Sequence, residues 1–335
     1  NKGKTIVTQG NTVNTIQDKW PDEFLGLLNA GLRIGEWHRH VCFLETHLIG
    51  DPTFRFANQA GVNFNINEAI VLNEGNVSFW KKMLKHPLPD MQAMALRQLS
   101  VADAPGLSAI LRDAYFQSPY GVVRLEAMRL LAMNCHPDAP EVLNAAVNDS
   151  YELVRRFATE YIAKHGSDEL LPAFAKALTL RVTDRRMFFK FSEALKTTNL
   201  EVLEAEIKKQ AAAMPLYDDS DIQRVYKQIA NQKKSEIANA QAILDTTTEK
   251  KDKRQEILSF RNHPATKSIN TLLKFIDDPT RDIDLRVAAA ETLGWYNMNY
   301  NKQAIIQNLS QLNPSEQILK DEITKTINRL KGKNR

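Results

Sequence analysis

A ten-residue phrase that returns at a near-constant interval constrains this chain more than any other feature. It reads VRLEAMRLLA at Val123–Ala132, VRRFATEYIA at Val154–Ala163 and LRVAAAETLG at Leu285–Gly294. With the first residue of the phrase as position zero, that position is Met91, Val123, Val154, Met187, Ile222, Lys253 and Leu285. The steps are 32, 31, 33, 35, 31 and 32 residues. A period of this length is the signature of stacked supersecondary units.

Position four carries Ala95, Ala127, Ala158, Phe191, Tyr226, Ile257 and Ala289, and position eight carries Leu99, Leu131, Ile162, Leu195, Ala230, Arg261 and Leu293. Apolar residues at zero, four and eight fall on one stripe of an α-helix. Alanine at position four lets a neighbouring helix approach closely. The Lys253 unit fits the frame poorly, and there Ile257, Leu258 and Phe260 must carry the packing. A second helical pattern lies between the phrases, at Gly106–Phe116, Ala139–Asp149, Asp168–Leu178 and Ala265–Asp278. Breaks at Pro105, His136–Pro140, His165–Asp168 and Asp277–Thr280 supply stops and caps. A final pair spans Lys302–Leu312 and Ser315–Lys331, with Leu319, Ile323 and Ile327 in frame. One such hairpin cannot bury its own stripe, so copies must stack.

With an arginine at position one (Arg124, Arg155, Arg286), the three phrases resemble HEAT and HEAT-like repeats. The resemblance covers about residues 78–331 and is looser in the middle units. Phe188 replaces the arginine in the Met187 unit, and the bulky MFFKFSEAL there marks a local distortion or an interaction patch. The resemblance implies an all-α chain, a right-handed α-solenoid of seven or eight helical hairpins, with a small α/β segment before it. The expected domains are 1–70 and 71–335.

In that first segment, Lys4–Gly10 reads as a strand ending in glycine. Pro21–Arg39 reads as a helix with Pro21 in its first turn. His40–Phe56 holds an apolar run, a turn at Gly50-Asp51-Pro52, then a short strand. This order, with its GDPT turn leading into a last strand, resembles the closing part of the caspase-like domain of gingipain-type cysteine peptidases, over about residues 3–56. The resemblance implies a bacterial, exported protein. The family's catalytic histidine and cysteine would lie upstream of Asn1, and Cys42 and His47 do not match them, so no catalytic residue carries over. The chain does not open with Met, which leaves a processed protein or a piece of a longer one.

The charge balance argues for a protein or peptide partner, or another part of a longer polypeptide. Net charge is +4 from 44 basic and 40 acidic residues, an excess too small and too dispersed for phosphate binding. The run Lys233–Ile257 nearly cancels itself and reads as a solvated helix surface and loop. At position six, away from the packed stripe, stand Arg97, Arg129, Glu160, Glu193, Gln228, Ser259 and Glu291. Their sign changes along the row, which suits a protein ligand with its own charge pattern or a plain solvated face. The position-one arginines read either as an anion site or as a ladder to neighbouring helix carbonyls and acids.

His38, His40, Cys42 and His47 are zinc-ligand types. Their spacing matches no standard finger, and a buried cysteine beside surface histidines explains them equally; no metal is expected. Tyr217–Asp221 reads as a cap before the Ile222 helix. Two cysteines exclude a disulfide framework, although one bridge is possible. No apolar run is long enough for a membrane span, and no signal peptide is visible. With no phosphate loop and no nucleophile elbow, the expected function is a non-enzymatic scaffold without cofactor. Two alternatives stay open. One is the non-catalytic end of a gingipain-like peptidase. The other is a HEAT-like nucleic-acid or DNA-repair protein, which needs a basic face with aromatics; of the four tryptophans, Trp20, Trp37 and Trp80 precede the first phrase at Met91 and only Trp295 follows it.

Overall fold

The computed structural model of the protein describes residues 5–12, 20, 23–42, 46–180, 184–213, 219–245 and 247–332. Among the described residues there are 18 α-helices, two single-turn 3-10 helices and one two-stranded sheet, so the chain is all-α in class. It divides into two compact units, Asn1–Leu130 and Leu131–Arg335, whereas the texture of the sequence changes near residue 70.

Unit 1 opens with strand β1 (Val7–Asn11), helices α1 (Leu25–Asn29) and α2 (Ile34–Val41), and strand β2 (Thr46–Gly50). The strands pair antiparallel, from Val7 opposite Gly50 to Asn11 opposite Thr46. Lys4 and Pro21 lie outside the described residues. Two expectations for this segment are corrected. The helix expected over Pro21–Arg39 is two short helices, because Gly31 turns the chain at φ 87°, a conformation open to glycine and strained for other residues. Asn67 stabilises the break. Its Oδ1 accepts from the Arg33 N–H at 2.7 Å and its Nδ2 donates to the Gly31 carbonyl at 3.0 Å. The other correction concerns the strand, which comes before the Gly50-Asp51-Pro52 turn and not after it. Asp51 closes that turn by accepting from the Thr53 N–H at 2.8 Å and hydroxyl at 2.7 Å. The Phe54 carbonyl then accepts from the Ile34 N–H at 2.9 Å, so this stretch is tied to the start of α2 instead of to the sheet.

Helices α3 (Ile66–Leu72), α4 (Val77–Met83), α5 (Pro89–Val101), α6 (Leu107–Gln117) and α7 (Gly121–Met133) follow. Both α1 and α4 pack on α5, burying Phe24, Leu27, Leu32, Ile70, Trp80, Met91 and Leu96. Trp80 keeps its indole N–H satisfied on the Asn73 carbonyl at 2.7 Å.

Unit 2 holds α8 (Ala139–Ala146), α9 (Glu152–His165), α10 (Leu171–Leu180), α11 (Arg185–Ala194), α12 (Leu200–Ala212), α13 (Asp219–Leu244), α14 (Lys250–Ser259), α15 (Ile269–Asp277), α16 (Ile283–Leu293), α17 (Lys302–Gln311) and α18 (Gln317–Lys331). Helices that carry the phrase lie against one another: α9 with α11, α13 with α14, α14 with α16, and α16 with α18. The intervening α10 and α12 also pack together. The stripe explains this. Ala95, Ala127, Ala158 and Ala289 at position four are fully buried, as are Leu99, Leu131 and Leu293 at position eight. In the Lys253 unit, Ile257 is buried and Leu258 and Phe260 pack on the same core. Helix α13 departs from the frame. Tyr226 is half-buried and Ala230 exposed, and the buried stripe there is Ile222, Val225 and Ile229, which has helical spacing in a shifted register. Tyr217 and Asp218 of the expected cap lie outside the described residues.

Open repeat arrays touch only their neighbours. Unit 2 also closes on itself across three to five steps of the frame. The Tyr300 N–H donates to the His165 carbonyl at 3.0 Å. Thr266 Oγ1 donates to the Gly166 carbonyl at 3.1 Å and receives the Asn299 Nδ2 at 2.8 Å. Cys135 Sγ lies 3.7 and 3.6 Å from the carbonyls of Asn297 and Asn299.

Candidate interaction surface

Two of the three position-one arginines, Arg124 and Arg286, finish helices, and Arg155 holds the loop that follows one. A helix leaves its last carbonyls without partners, at the negative end of its dipole. Arg124 Nη1 donates to the Ser118 carbonyl at 3.2 Å, at the end of α6. Arg155 Nη1 donates to the Asp149 and Ser150 carbonyls at 2.7 and 3.0 Å, just beyond α8. Arg286 Nε donates to the Ile276 carbonyl of α15 at 2.8 Å, and its Nη1 to Glu316 at 2.9 Å. The ladder places each guanidinium on a carbonyl, so these are packing residues. Where Phe188 replaces the arginine, the Arg224 guanidinium stacks over its ring at 4.3 Å. Phe189, beside it, is exposed.

Position six behaves differently. All seven of its residues, Arg97, Arg129, Glu160, Glu193, Gln228, Ser259 and Glu291, are half-buried. None joins the packed stripe and none projects fully into water. Sequence reasoning missed what holds them there. Arg97 reaches position three of the next unit, Glu126, at 2.7 Å. Glu160 reaches position three of its own next unit, Lys190, at 3.2 Å. The same link is made twice with the signs reversed, at separations of 29 and 30 residues. Complementary charges at that spacing are visible in the sequence, and they are the signal that could have identified Glu126 and Lys190.

Arg97 and Arg129 are further occupied by the N-terminal segment. Both contact Glu126 and Glu23, with Arg129 at 3.2 Å from each. Arg97 also donates to the His40 carbonyl at 2.8 Å. Its guanidinium stacks on Phe24 at 4.4 Å, and that of Arg129 on Trp20 at 5.3 Å. Glu126 is fully buried. Its two arginines outweigh burial and hold the carboxyl below the usual range.

In unit 2, Glu160 accepts from Lys164 at 2.6 Å as well as from Lys190. Burial opposes its charge, but the two ammonium groups prevail and lower its pKa to about 2. Glu193 pairs with Lys196 at 2.9 Å. Ser192 donates to Gln228 at 3.3 Å. Glu291 pairs with Arg261 at 3.3 Å. Beside it Trp295, 43% exposed, is flanked by the guanidiniums of Arg261 at 4.9 Å and Arg329 at 5.8 Å.

His38 and His40 both lie on α2, Cys42 is exposed just beyond it, and His47 is on β2. Two residues apart on a helix, His38 and His40 do not share a face. His40 is engaged by Glu36 at 3.1 Å. Burial, and then the nearby His47, lower the pKa of His38. Among the described residues no group of three or more His, Cys, Asp or Glu side chains is placed to hold a metal ion, and no helix is long and apolar enough to cross a membrane. In the Lys233–Ile257 run, Lys233 pairs with Glu201 and Glu204, and Lys250 with Asp282 and Asp284, at 2.6–2.9 Å. No known family model matches the sequence, and no curated protein matches it.

Proposed function

We propose that the chain is a non-enzymatic protein-interaction scaffold, a right-handed α-solenoid of HEAT-like hairpins whose position-six row meets a protein or peptide ligand. One observation carries this reading: position six is half-buried in every unit while position four is almost always packed. A half-buried charged row on rigid helices presents side chains at regular spacing without loss of order on binding. In unit 2 the row is acidic at Glu160, Glu193 and Glu291, with exposed Phe189 and Trp295 close to it in sequence. The partner it fits is a basic segment with apolar anchors. Arg97 and Arg129 belong to the same row but are closed in by the chain's own Glu23 and Glu126, and Glu160 is held by two lysines; Glu193 and Glu291, each beside one partly exposed cation, are therefore the partner-facing residues.

The test is capture of partners from native extract, followed by rebinding of each purified partner to wild type and to Glu193→Lys/Glu291→Lys. The reading expects at least tenfold weaker binding by the doubly reversed variant. Equal affinity would overturn it.

A second reading, nucleic-acid binding, draws support from Trp295 between Arg261 and Arg329, since an aromatic face with guanidiniums suits a base and its phosphate. A salt-sensitive gel shift with DNA, lost in Trp295→Ala, is its expected outcome; no shift at low salt ends it. The gingipain-like reading draws less support, because residues 53–56 are not a strand.

A further inference from the structure

The contact that closes unit 2 on itself has a histidine at its centre. His165 is the last residue of α9, and Gly166 after it has φ 72°. Four observations converge there. The His165 carbonyl receives the Tyr300 N–H at 3.0 Å. The His165 ring lies on the Tyr300 ring, with centroids 5.8 Å apart and planes inclined by 22°. The next carbonyl, that of Gly166, receives Thr266 Oγ1, which itself receives Asn299 Nδ2. Finally, His165 is 5% exposed, and its Nδ1 is buried with no hydrogen-bond partner among the described residues.

A neutral imidazole tolerates this environment, because Nδ1 then carries only a lone pair. A charged imidazolium must carry a proton on Nδ1, which no acceptor among the described residues meets and which burial keeps from water. The groups around it do not repair this. Glu169, three residues beyond Gly166, favours the charged ring, as does the carbonyl end of α9. From the opposing segments come Tyr300, which offers a ring face, and Cys135, whose thiol is directed to the Asn297 and Asn299 carbonyls. Lys302, whose charge reaches Cys135, is the cation on that side. Burial prevails over Glu169, and the ring stays neutral below its ordinary titration range.

We infer that the contact of His165 and Gly166 with Thr266, Asn299 and Tyr300 is a proton-sensitive latch, which holds unit 2 closed when His165 is neutral and releases when it is charged. Release separates segments a hundred or more residues apart while leaving the helix stripes packed, because none of the latch bonds belongs to a stripe.

The test is amide hydrogen exchange of the full chain between pH 7.5 and 5.5, corrected for intrinsic exchange. The Tyr300 amide is expected to lose protection severalfold at the lower pH, toward the limit of about tenfold that one histidine of ordinary pKa about 6.5 allows over this range, while Ile323 in α18 keeps its own. His165→Gln should abolish that pH dependence. His263→Gln, which removes another unit 2 histidine kept neutral by burial, should retain it. The same loss in His165→Gln, or none in wild type, overturns the latch. Should His165→Gln fail to fold, the proton NMR titration of His165 in wild type decides the matter. A midpoint clearly below the ordinary value of about 6.5 is required, and one at or above it refutes the inference.

Discussion

Arg97 meets Glu126 at two points, Nε on Oε1 at 2.7 Å and Nη2 on Oε2 at 2.9 Å, and so ties α5 to α7. Planar guanidinium and carboxylate match in this geometry, which no lysine reproduces. The pair is buried and is completed by Arg129 and Glu23.

Removing Glu126 leaves two buried arginines to share the single carboxylate of Glu23. Glu126→Ala is expected to cost about 3–5 kcal/mol, the range for removing one partner of a buried ion pair. Arg97→Lys should keep the charge and lose the two-point contact, at a smaller cost. Urea unfolding monitored by tryptophan fluorescence measures both. A loss under 1 kcal/mol in Glu126→Ala would show that the group does not hold unit 1 together.

Packing at position four is tested by Ala158→Trp. Ala158 is fully buried, and overfilling a well-packed core typically costs about 1–3 kcal/mol. Chemical denaturation is the measurement, with wild-type stability the outcome that contradicts the frame.

Two positions along, Glu160 carries a pH signature. Its carboxyl titrates at about 2 in the fold against an ordinary value of 4.5. A depressed carboxyl contributes stability above the unfolded value, and loses it as pH falls through the folded one. Glu160 is about one-third exposed, so solvent screening reduces the contribution to about 1 kcal/mol. Glu160→Gln should therefore melt lower than wild type at pH 7, with the gap narrowing between pH 4.5 and about 2.

Arg286→Met removes the donor that completes α15 and leaves the Ile276 carbonyl unsatisfied. Such a buried acceptor costs about 1–3 kcal/mol. Arg286→Lys should restore only part, since one ammonium cannot serve both Ile276 and Glu316. Full rescue by lysine, read from thermal melts, would contradict the two-point role.

At Gly166 an added Cβ would collide with Thr266 Oγ1, in a left-handed conformation that itself costs other residues roughly 1–2 kcal/mol. Gly166→Ala should be destabilising, and Thr266→Ala should recover part of the loss. A double-mutant cycle with zero coupling would mean that the two residues do not meet.

What could be read in the sequence was local. The stripe through Met91, Ala158 and Leu293 was legible because helical period and burial coincide there. The shift in α13 was not, because Tyr226 and Ala230 suit the frame by residue type and only tertiary packing selects Val225 and Ile229. The break at Gly31 was hidden for a similar reason. Its stability comes from Asn67, 36 residues away, while the local composition favours helix. The charged row was legible as a row, but its tie to Glu23 was not, because Glu23 lies 74 residues from Arg97 and outside the repeat. The meeting of His165 with Tyr300 has no local signal, since nothing near either residue specifies the other.

That meeting limits how the molecule can vary. Tandem arrays with free ends are easily lengthened or trimmed, because each added module needs only the one before it. Between Gly166 and Thr266 this freedom is lost: inserting or deleting a whole module there would carry the one away from the other. The number of modules in that interval is thereby set by geometry, while those beyond Tyr300 remain free to change.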